Sequence, residues 1–189
     1  MSNAWELPTS INVGGENWNI RTDYRAILDI LKYFNDPDYE DDEKWIICLD
    51  ILYKDFEKMP TSLYEESAEK AVEFIDMGIQ DDGRNKPHVM DWEYDAPIII
   101  PAINKVQGVE IRTLSYMHWW TFLGAYMSIG EGLFAEVLNI RIKKSKGKKL
   151  EKYEQEFYKE NKSLIDLNIK PKRSKEEEEA LRKLFGLKR

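Results

Sequence analysis

An uncharged stretch from Thr113 to Gly130 lies in the second half of the sequence and must be removed from water in any stable fold. It reads TLSYMHWWTFLGAYMSIG and places His118 directly before two adjacent tryptophans. Its length approaches the roughly 20 residues that cross a bilayer. However, it also contains serine, threonine and glycine, acidic residues follow soon after it, and the sequence has no second stretch of this kind. We therefore expect a buried part of a folded core and no membrane span.

The aromatic residues of this stretch predict central contacts of the fold. As a helix, residues 116–127 would be apolar on every side, which is typical of an element that other elements surround. Neighbouring residues lie about 100° apart around a helix, so we expect Trp119 and Trp120 to pack against different neighbours, the hairpin and the first helices. A neutral histidine in a helical core can be satisfied by a carbonyl or carboxylate group. The residues that we expect to form the structural core are Trp92, His118, Trp119, Trp120 and Phe122.

The remaining patterns predict a mainly α fold, in which a single multi-helix domain carries a small N-terminal β-hairpin and a helical C-terminal extension. The hairpin covers about residues 8–21, because apolar residues flank Gly14 and Gly15, which permit a tight turn. Apolar residues at helical spacing predict helices that begin at Thr22 or Asp23, near Asp42, at Ser62 and near Asp95. The ends of these helices are predicted at Asp36, Lys58, Gly78 and Gly108.

Several details of the helices depend on capping residues, prolines and glycines. The segment Ser62–Glu65 predicts a capping box, and Asp95 is expected to cap the helix that follows it. Pro101 lies within that helix, so we expect the helix to be distorted or short. Gly130 and Gly132 are expected to bend or break the chain before the next helix. The apolar residues of the third helix that we expect to face inward are Leu63, Ala68, Ala71, Val72 and Ile75.

The net charge of -7 conceals opposite charges in two parts of the chain. From Arg141 onward there are seventeen Lys and Arg against nine Asp and Glu, whereas residues 1–140 hold eleven against twenty-six. We therefore predict a helical core domain over residues 1–143 and a basic, weakly packed helical tail over residues 144–189. Within this tail, Ser174–Glu177 predicts another capping box. The basic composition fits either a solvated helical face or a surface that binds acidic partners or further copies of the chain. The candidate partner-binding residues are Lys143, Lys144, Lys146, Lys148 and Lys149.

The sequence contains no motif that predicts catalysis, a metal or a cofactor. It lacks GxSxG, P-loop and GxGxxG patterns. Cys48, the single cysteine, lies on the apolar face of the second predicted helix, where cysteine behaves as a small buried hydrophobe. Residues 88–95 hold a histidine and three acidic side chains that could bind an ion, but acidic residues are common before a helix. We expect no enzyme activity, no metal and no cofactor. The lack of a secretory signal pattern and of cysteine pairs favours the cytoplasm.

Five segments occur in the order INVGGENWNIRTDYRAIL, AVEFIDMG, MDWEYDAPIIIPAINKVQGVEI, LSYMHWWTFLGAYMSI and LNIRIKKSKGKKL. Together they resemble the bacteriophage "gene product fifteen" family of Gram-positive siphophages and prophages, over about residues 5–170. The most specific parts of the resemblance are Asp91-Trp92 with Asp95-Ala96, and His118 to Phe122 followed by Ile140-Arg141. Genes of this family typically lie close to the gene of the tail tape-measure protein. The resemblance provides no catalytic residues.

The resemblance implies a non-enzymatic protein of phage tail morphogenesis in the cytoplasm of the bacterial host cell. The implied role is a tail assembly chaperone that binds the tape-measure protein or other tail proteins. Association of the chain with further copies of itself, as a homo-oligomer, is also an open alternative. The alternative is a structural virion component, such as a tail or connector subunit. Nucleic-acid binding through RIKKSKGKKLEKY and KPKRSK is less expected, because these segments lack an aromatic stacking platform and a groove-reading helix.

Overall fold

The computed structural model describes residues 5–79 and 87–167. Within these two ranges the protein is mainly helical, with one two-stranded antiparallel sheet near its N-terminal end, so the predicted fold class is confirmed. None of the helices in these ranges is long and apolar enough to cross a membrane. The strands are β1 (Ser10–Val13) and β2 (Glu16–Asn19), and the helices are α1 (Tyr24–Asn35), α2 (Asp41–Leu52), α3 (Tyr64–Ile75), α4 (Ala96–Gln107), α5 (Trp119–Met127), α6 (Leu133–Ser145), α7 (Lys152–Glu160) and α8 (Lys162–Ile165).

The N-terminal hairpin forms where the glycine pair predicts it. β1 and β2 pair in antiparallel register, with Val13 opposite Glu16 across the turn. Gly14 and Gly15 have φ angles of 60° and 82°, which residues with a side chain rarely adopt. The turn contacts the first part of α3, where the carboxylate of Glu66 accepts a hydrogen bond from the Gly14 N–H at 3.1 Å. This contact with α3 supports a hairpin that is too short to be stable alone.

α1 begins as predicted, whereas α2 ends earlier than predicted. Asp23 caps α1 by accepting a hydrogen bond at 3.0 Å from the backbone N–H two residues further on. α2 ends at Leu52 and not near Lys58. The reason is that Tyr53 leaves the helix in an extended conformation and forms a bridge with Ile20, directly after the hairpin. A long-range contact therefore ends a helix that the local apolar pattern would continue.

The beginning and the exposed side of α3 differ from the sequence prediction. Residues 61–63 form a 3₁₀ turn and α3 begins at Tyr64 without a side-chain cap, so the predicted capping box Ser62–Glu65 is wrong. Val72 is 41% exposed, and its predicted inward orientation is also wrong. It lies about 100° around the helix from Ala71, which is fully buried. The buried residues of α3 are Ser67, Ala71 and Phe74.

α4 continues through Pro101 for twelve residues, so it is not the short helix that this proline predicts. Pro101 and Pro97 are both exposed, so the part of the helix where Pro101 cannot bond the carbonyl of Pro97 lies at the protein surface. Gly108 ends α4 as predicted, with a left-handed φ of 69°. The predicted break after α5 is also present, because α6 begins directly after Gly132.

α5 is less enclosed than its composition predicts. It begins at Trp119, and Tyr116 before it is 54% exposed, while Met127 at its end is 58% exposed. The prediction that other elements surround the whole stretch is therefore wrong. The reason is that both ends of the stretch lie at the protein surface, whereas Trp120, Leu123 and Tyr126 of α5 are partly buried against the core. The buried residues of α5 are Trp119, Phe122 and Ala125.

The last described helices pack on the same core as the first. The domain boundary predicted at residue 143 falls inside α6, which continues to Ser145. α8 packs against α6, and its residue Ile165 is 1% exposed and belongs to the main hydrophobic cluster. Residues 144–167 are therefore joined to the core by α6 and α8. The capping box predicted at Ser174–Glu177 lies outside the described residues.

Candidate protein-binding groove

The aromatic residues singled out in the sequence lie on α5 and on the segment before α4. Trp119 and Phe122 stack with ring centroids 5.6 Å apart, and Tyr24 of α1 stacks on Phe122 at 4.6 Å. Trp92 contacts both Trp119 and Phe122, at 6.2 Å and 6.0 Å between centroids. Trp119 and Phe122 are buried, and Trp92 is partly buried. These rings join α1, α5 and the segment before α4 in the interior of the protein.

His118 and the two tryptophans hold α5 through hydrogen bonds to backbone groups. The Nδ1 atom of His118 accepts a hydrogen bond from the Trp120 N–H at 3.0 Å and so caps α5. Because Nδ1 accepts, the imidazole is neutral, and its Nε2–H donates to the carbonyl of Pro8 at 2.9 Å. The indole N–H groups of Trp119 and Trp120 donate to the carbonyls of the last two residues of α3, at 2.7 Å and 2.8 Å. Both indoles therefore hold α5 against the C-terminal end of α3, a shared contact that the sequence spacing does not indicate.

A buried ion pair joins the beginning of α4 to α6. The side chains of Asp95 and Arg141 are 0% and 5% exposed, and two parallel hydrogen bonds of 2.8 Å and 2.7 Å connect them. The guanidinium also donates to the carbonyls of Val89, Leu164 and Ile165. Asp95 occupies the N-cap position of α4 but makes no capping hydrogen bond, so its predicted capping role is wrong. Its carboxylate binds Arg141 instead, and the pair connects three segments of the chain.

The five lysines marked as candidate partner-binding residues lie at the end of α6 and directly after it, in two groups. Lys143 and Lys144 form ion pairs with Glu154 and Asp166. The hydrogen bond from Lys143 holds the pKa of the Glu154 carboxyl below its ordinary value. The three other lysines are exposed and form no ion pair with any residue that the structure describes, and they are Lys146, Lys148 and Lys149.

The acidic groups that the sequence offers for metal binding have partners within the fold. Among residues 5–79 and 87–167, no three His, Cys, Asp or Glu side chains come together as a metal site. The three acidic residues of segment 88–95 interact with Lys32, with Arg141 and with backbone N–H groups. Cys48 is fully buried, and burial raises the pKa of its thiol to about 12. At neutral pH this thiol is therefore protonated and shielded from water.

An open apolar groove lies between α2 and α3, with a cavity volume of about 510 Å³, and we name it the α2–α3 groove. Ile46 of α2 and Val72 of α3 are 45% and 41% exposed, so the groove presents apolar side chains to solvent. Exposed apolar surface of this kind, bordered by polar residues, is typical of protein-binding sites. The apolar residues that line the groove are Trp45, Ile46, Leu49, Tyr64, Ala68 and Val72.

Three carboxylates border the α2–α3 groove, Asp42 on α2 and Glu65 and Glu69 on α3. None of them forms an ion pair in the part of the chain that the structure describes. An apolar floor can bury the apolar face of a helix, and an acidic border favours basic residues beside that face. The groove therefore fits an amphipathic helix with lysine or arginine residues next to its apolar side.

The α2–α3 groove is not predicted by the sequence patterns. Two of the residues that line it, Ala68 and Val72, were predicted to face inward on α3. The available signal is Ile46, because an apolar residue directly after Trp45 widens the apolar surface of α2 beyond one face. Periodicity locates apolar faces, but it does not show which of them remain uncovered after the helices have packed.

The family model described as "Bacteriophage Gp15 protein" matches residues 4–167 of the chain. This range includes the hairpin, all residues that line the α2–α3 groove, and both members of the Asp95–Arg141 pair. No curated protein matches the chain. No solved structure matches it either.

Proposed function

This chain belongs to the bacteriophage Gp15 protein family, and from this premise we propose that it is a non-enzymatic protein of phage tail morphogenesis. Membership of the family identifies it as a phage structural or morphogenesis protein. The finer role that we propose is a tail assembly chaperone, which binds the tape-measure protein or other tail proteins in the cytoplasm of the host bacterium. The observation that carries this proposal is the α2–α3 groove, with its exposed apolar floor and acidic border.

The properties of the groove suit a chaperone for helical tail proteins. A tape-measure protein is a long helical chain, and its apolar faces stay exposed until the tail tube forms around it. A chaperone needs an apolar groove that covers such a face, together with enough charge to remain soluble. Ile46 and Val72 provide apolar contacts that solvent can reach. The net charge of -7 keeps the complex soluble and favours partners with basic residues.

Co-expression with the tape-measure protein of the same phage genome tests the proposal. We expect the two proteins to co-purify and the tape-measure protein to become more soluble. The variant Ile46→Asp places a charge in the apolar floor, so it should reduce the recovered partner about tenfold or more. The matched control Val109→Asp changes a residue that is 39% exposed outside the groove, and it should leave recovery unchanged. Absence of co-purification with the unmodified protein would contradict the chaperone role.

A structural virion subunit is the second candidate function. Lys146, Lys148 and Lys149 carry charges opposite to those at the border of the α2–α3 groove, and both sets are free of ion pairs within the described chain. Opposite charges on two separate surfaces favour contacts between successive copies in a repeating assembly. Mass spectrometry of purified phage particles separates the two candidates. A stoichiometric amount in the particle favours the virion subunit, and absence from the particle favours the chaperone.

A further inference from the structure

The α2–α3 groove leaves apolar side chains open to water, and no described element covers them. Ile46 and Val72 line it and remain more than a third exposed. Exposed apolar surface costs free energy and promotes aggregation, so a chain that must stay soluble gains by covering it. The acidic border restricts the occupant, because a helix with basic residues beside its apolar face fits this groove better than a neutral or acidic helix.

Residues 180–189, ALRKLFGLKR, have the composition that the groove requires. Leu181, Leu184 and Phe185 follow the i, i+3, i+4 spacing that places apolar side chains on one face of a helix. Acidic residues are absent from 180–189, whereas residues 176–179 before them are all glutamate and would be repelled by the border of the groove. The basic residues of the segment are Arg182, Lys183, Lys188 and Arg189.

We propose that residues 180–189 occupy the α2–α3 groove of the same chain as an amphipathic helix. Residues 168–179 connect this segment to α8 and its following turn, and twelve extended residues span at most about 40 Å. A folded domain of this size has a radius of gyration of about 15 Å, so the connection reaches across it. A connection of only twelve residues also gives an effective concentration in the millimolar range, which favours the chain's own segment over that of a second copy at micromolar concentration.

Occupation by residues 180–189 would regulate the site that the proposed function assigns, and this consequence rests on that function. A partner helix has to displace the segment, so only a partner with stronger apolar contacts binds. The intramolecular contact also keeps Ile46 and Val72 covered while no partner is present. The contact itself can be tested without any partner, so its outcome is independent of the chaperone role.

Disulfide formation between engineered cysteines in the full-length chain tests the contact. The pair Ile46→Cys with Phe185→Cys joins the groove to the segment, and the native Cys48 is fully buried. The matched control pair is Val109→Cys with Phe185→Cys, because Val109 is exposed to a similar degree outside the groove. Under mild oxidation at micromolar protein concentration, we expect a disulfide within the chain for the groove pair, at a yield about fivefold or more above the control.

Each outcome of this experiment decides the proposal. A yield for the groove pair that does not exceed the control yield overturns it. A disulfide-linked dimer as the main product also overturns it and assigns the groove to a second copy. Adding Arg182→Glu and Lys183→Glu to the groove pair reverses the charge of the segment and should lower the yield about threefold or more at low salt. An unchanged yield in this charge-reversed variant contradicts the role of the acidic border.

Discussion

The Asp95–Arg141 pair is the individual interaction whose loss we expect to cost most. Asp95→Ala leaves the guanidinium of Arg141 buried without its counter-charge, and removal of one partner of such a pair costs about 3–5 kcal/mol of unfolding free energy. Glu93→Ala is the matched control, because it breaks the ion pair with Lys32 on the protein surface, where water screens the charges and we expect a much smaller loss. Urea denaturation of both variants measures the difference. Equal losses would show that water reaches Arg141.

Glu110 makes a contribution to stability that depends on pH. The side-chain and backbone hydrogen bonds from Arg112 lower the pKa of the Glu110 carboxyl to about 2. In the unfolded chain a glutamate titrates near pH 4.3. A lowered pKa in the folded state means that the stabilisation is fully present above this unfolded value and is lost as the pH falls from there towards 2.

The variant Glu110→Gln isolates this contribution. It cannot ionise, so its unfolding free energy should fall less steeply between pH 5 and pH 2 than that of the unmodified protein. Above pH 5 the variant should be the less stable of the two, because its neutral amide binds Arg112 more weakly. Denaturant titrations at several pH values provide the measurement, and parallel curves for the two proteins would contradict the assignment to Glu110.

The β1–β2 hairpin depends on the fit of its turn against α3. A Cβ atom added at Gly14 would approach Leu63 to 2.8 Å, whereas at Gly15 it would meet no atom within 4 Å. Both glycines have positive φ, so alanine at either position costs roughly 1–2 kcal/mol of backbone strain. We expect Gly14→Ala to be the more destabilising variant, and thermal unfolding measures the difference. Equal losses of stability in the two variants would contradict the close contact between Gly14 and Leu63.

Structural features that depend on neighbouring residues can be predicted from sequence patterns, whereas features that depend on distant residues cannot. The Gly14-Gly15 turn and the Asp23 cap need only a few consecutive residues, and both form where they are predicted. α2 ends at Leu52 because the next residue pairs with the strand segment near the N-terminus, which no local pattern shows. Likewise, the local sequence predicts Asp95 as a helix cap, because it does not indicate that Arg141, 46 residues away, is its partner. The α2–α3 groove is harder still to predict, because it depends on which apolar faces remain uncovered after the helices have packed.

The described protein consists of a series of helices that share one core from the hairpin to α8. α1 packs on α2 and α5, α4 connects α5 to α6, and α6 packs on α8. The change of composition near residue 143 therefore marks a change in surface charge and not an interruption of packing. Ion pairs of Lys143 and Lys144 join the end of α6 to Glu154 of α7 and to Asp166 directly after α8. In this chain the charge distribution indicates which kind of partner can bind, and burial shows how far the folded unit extends.

Truncated chains test whether residues 144–167 belong to the folded unit. A chain that ends at residue 143 loses the carbonyls of Leu164 and Ile165, which accept hydrogen bonds from the buried Arg141. Two lost hydrogen bonds to a charged group, at about 1.5–3 kcal/mol each, predict a loss of roughly 3–6 kcal/mol, a large part of the stability of a domain. A chain that ends at residue 167 keeps these partners and should lose only the contact of residues 180–189 with the α2–α3 groove. Urea denaturation of the two truncated chains and the full chain measures both losses, and an unchanged unfolding free energy after truncation at residue 143 would show that residues 144–167 are an independent tail.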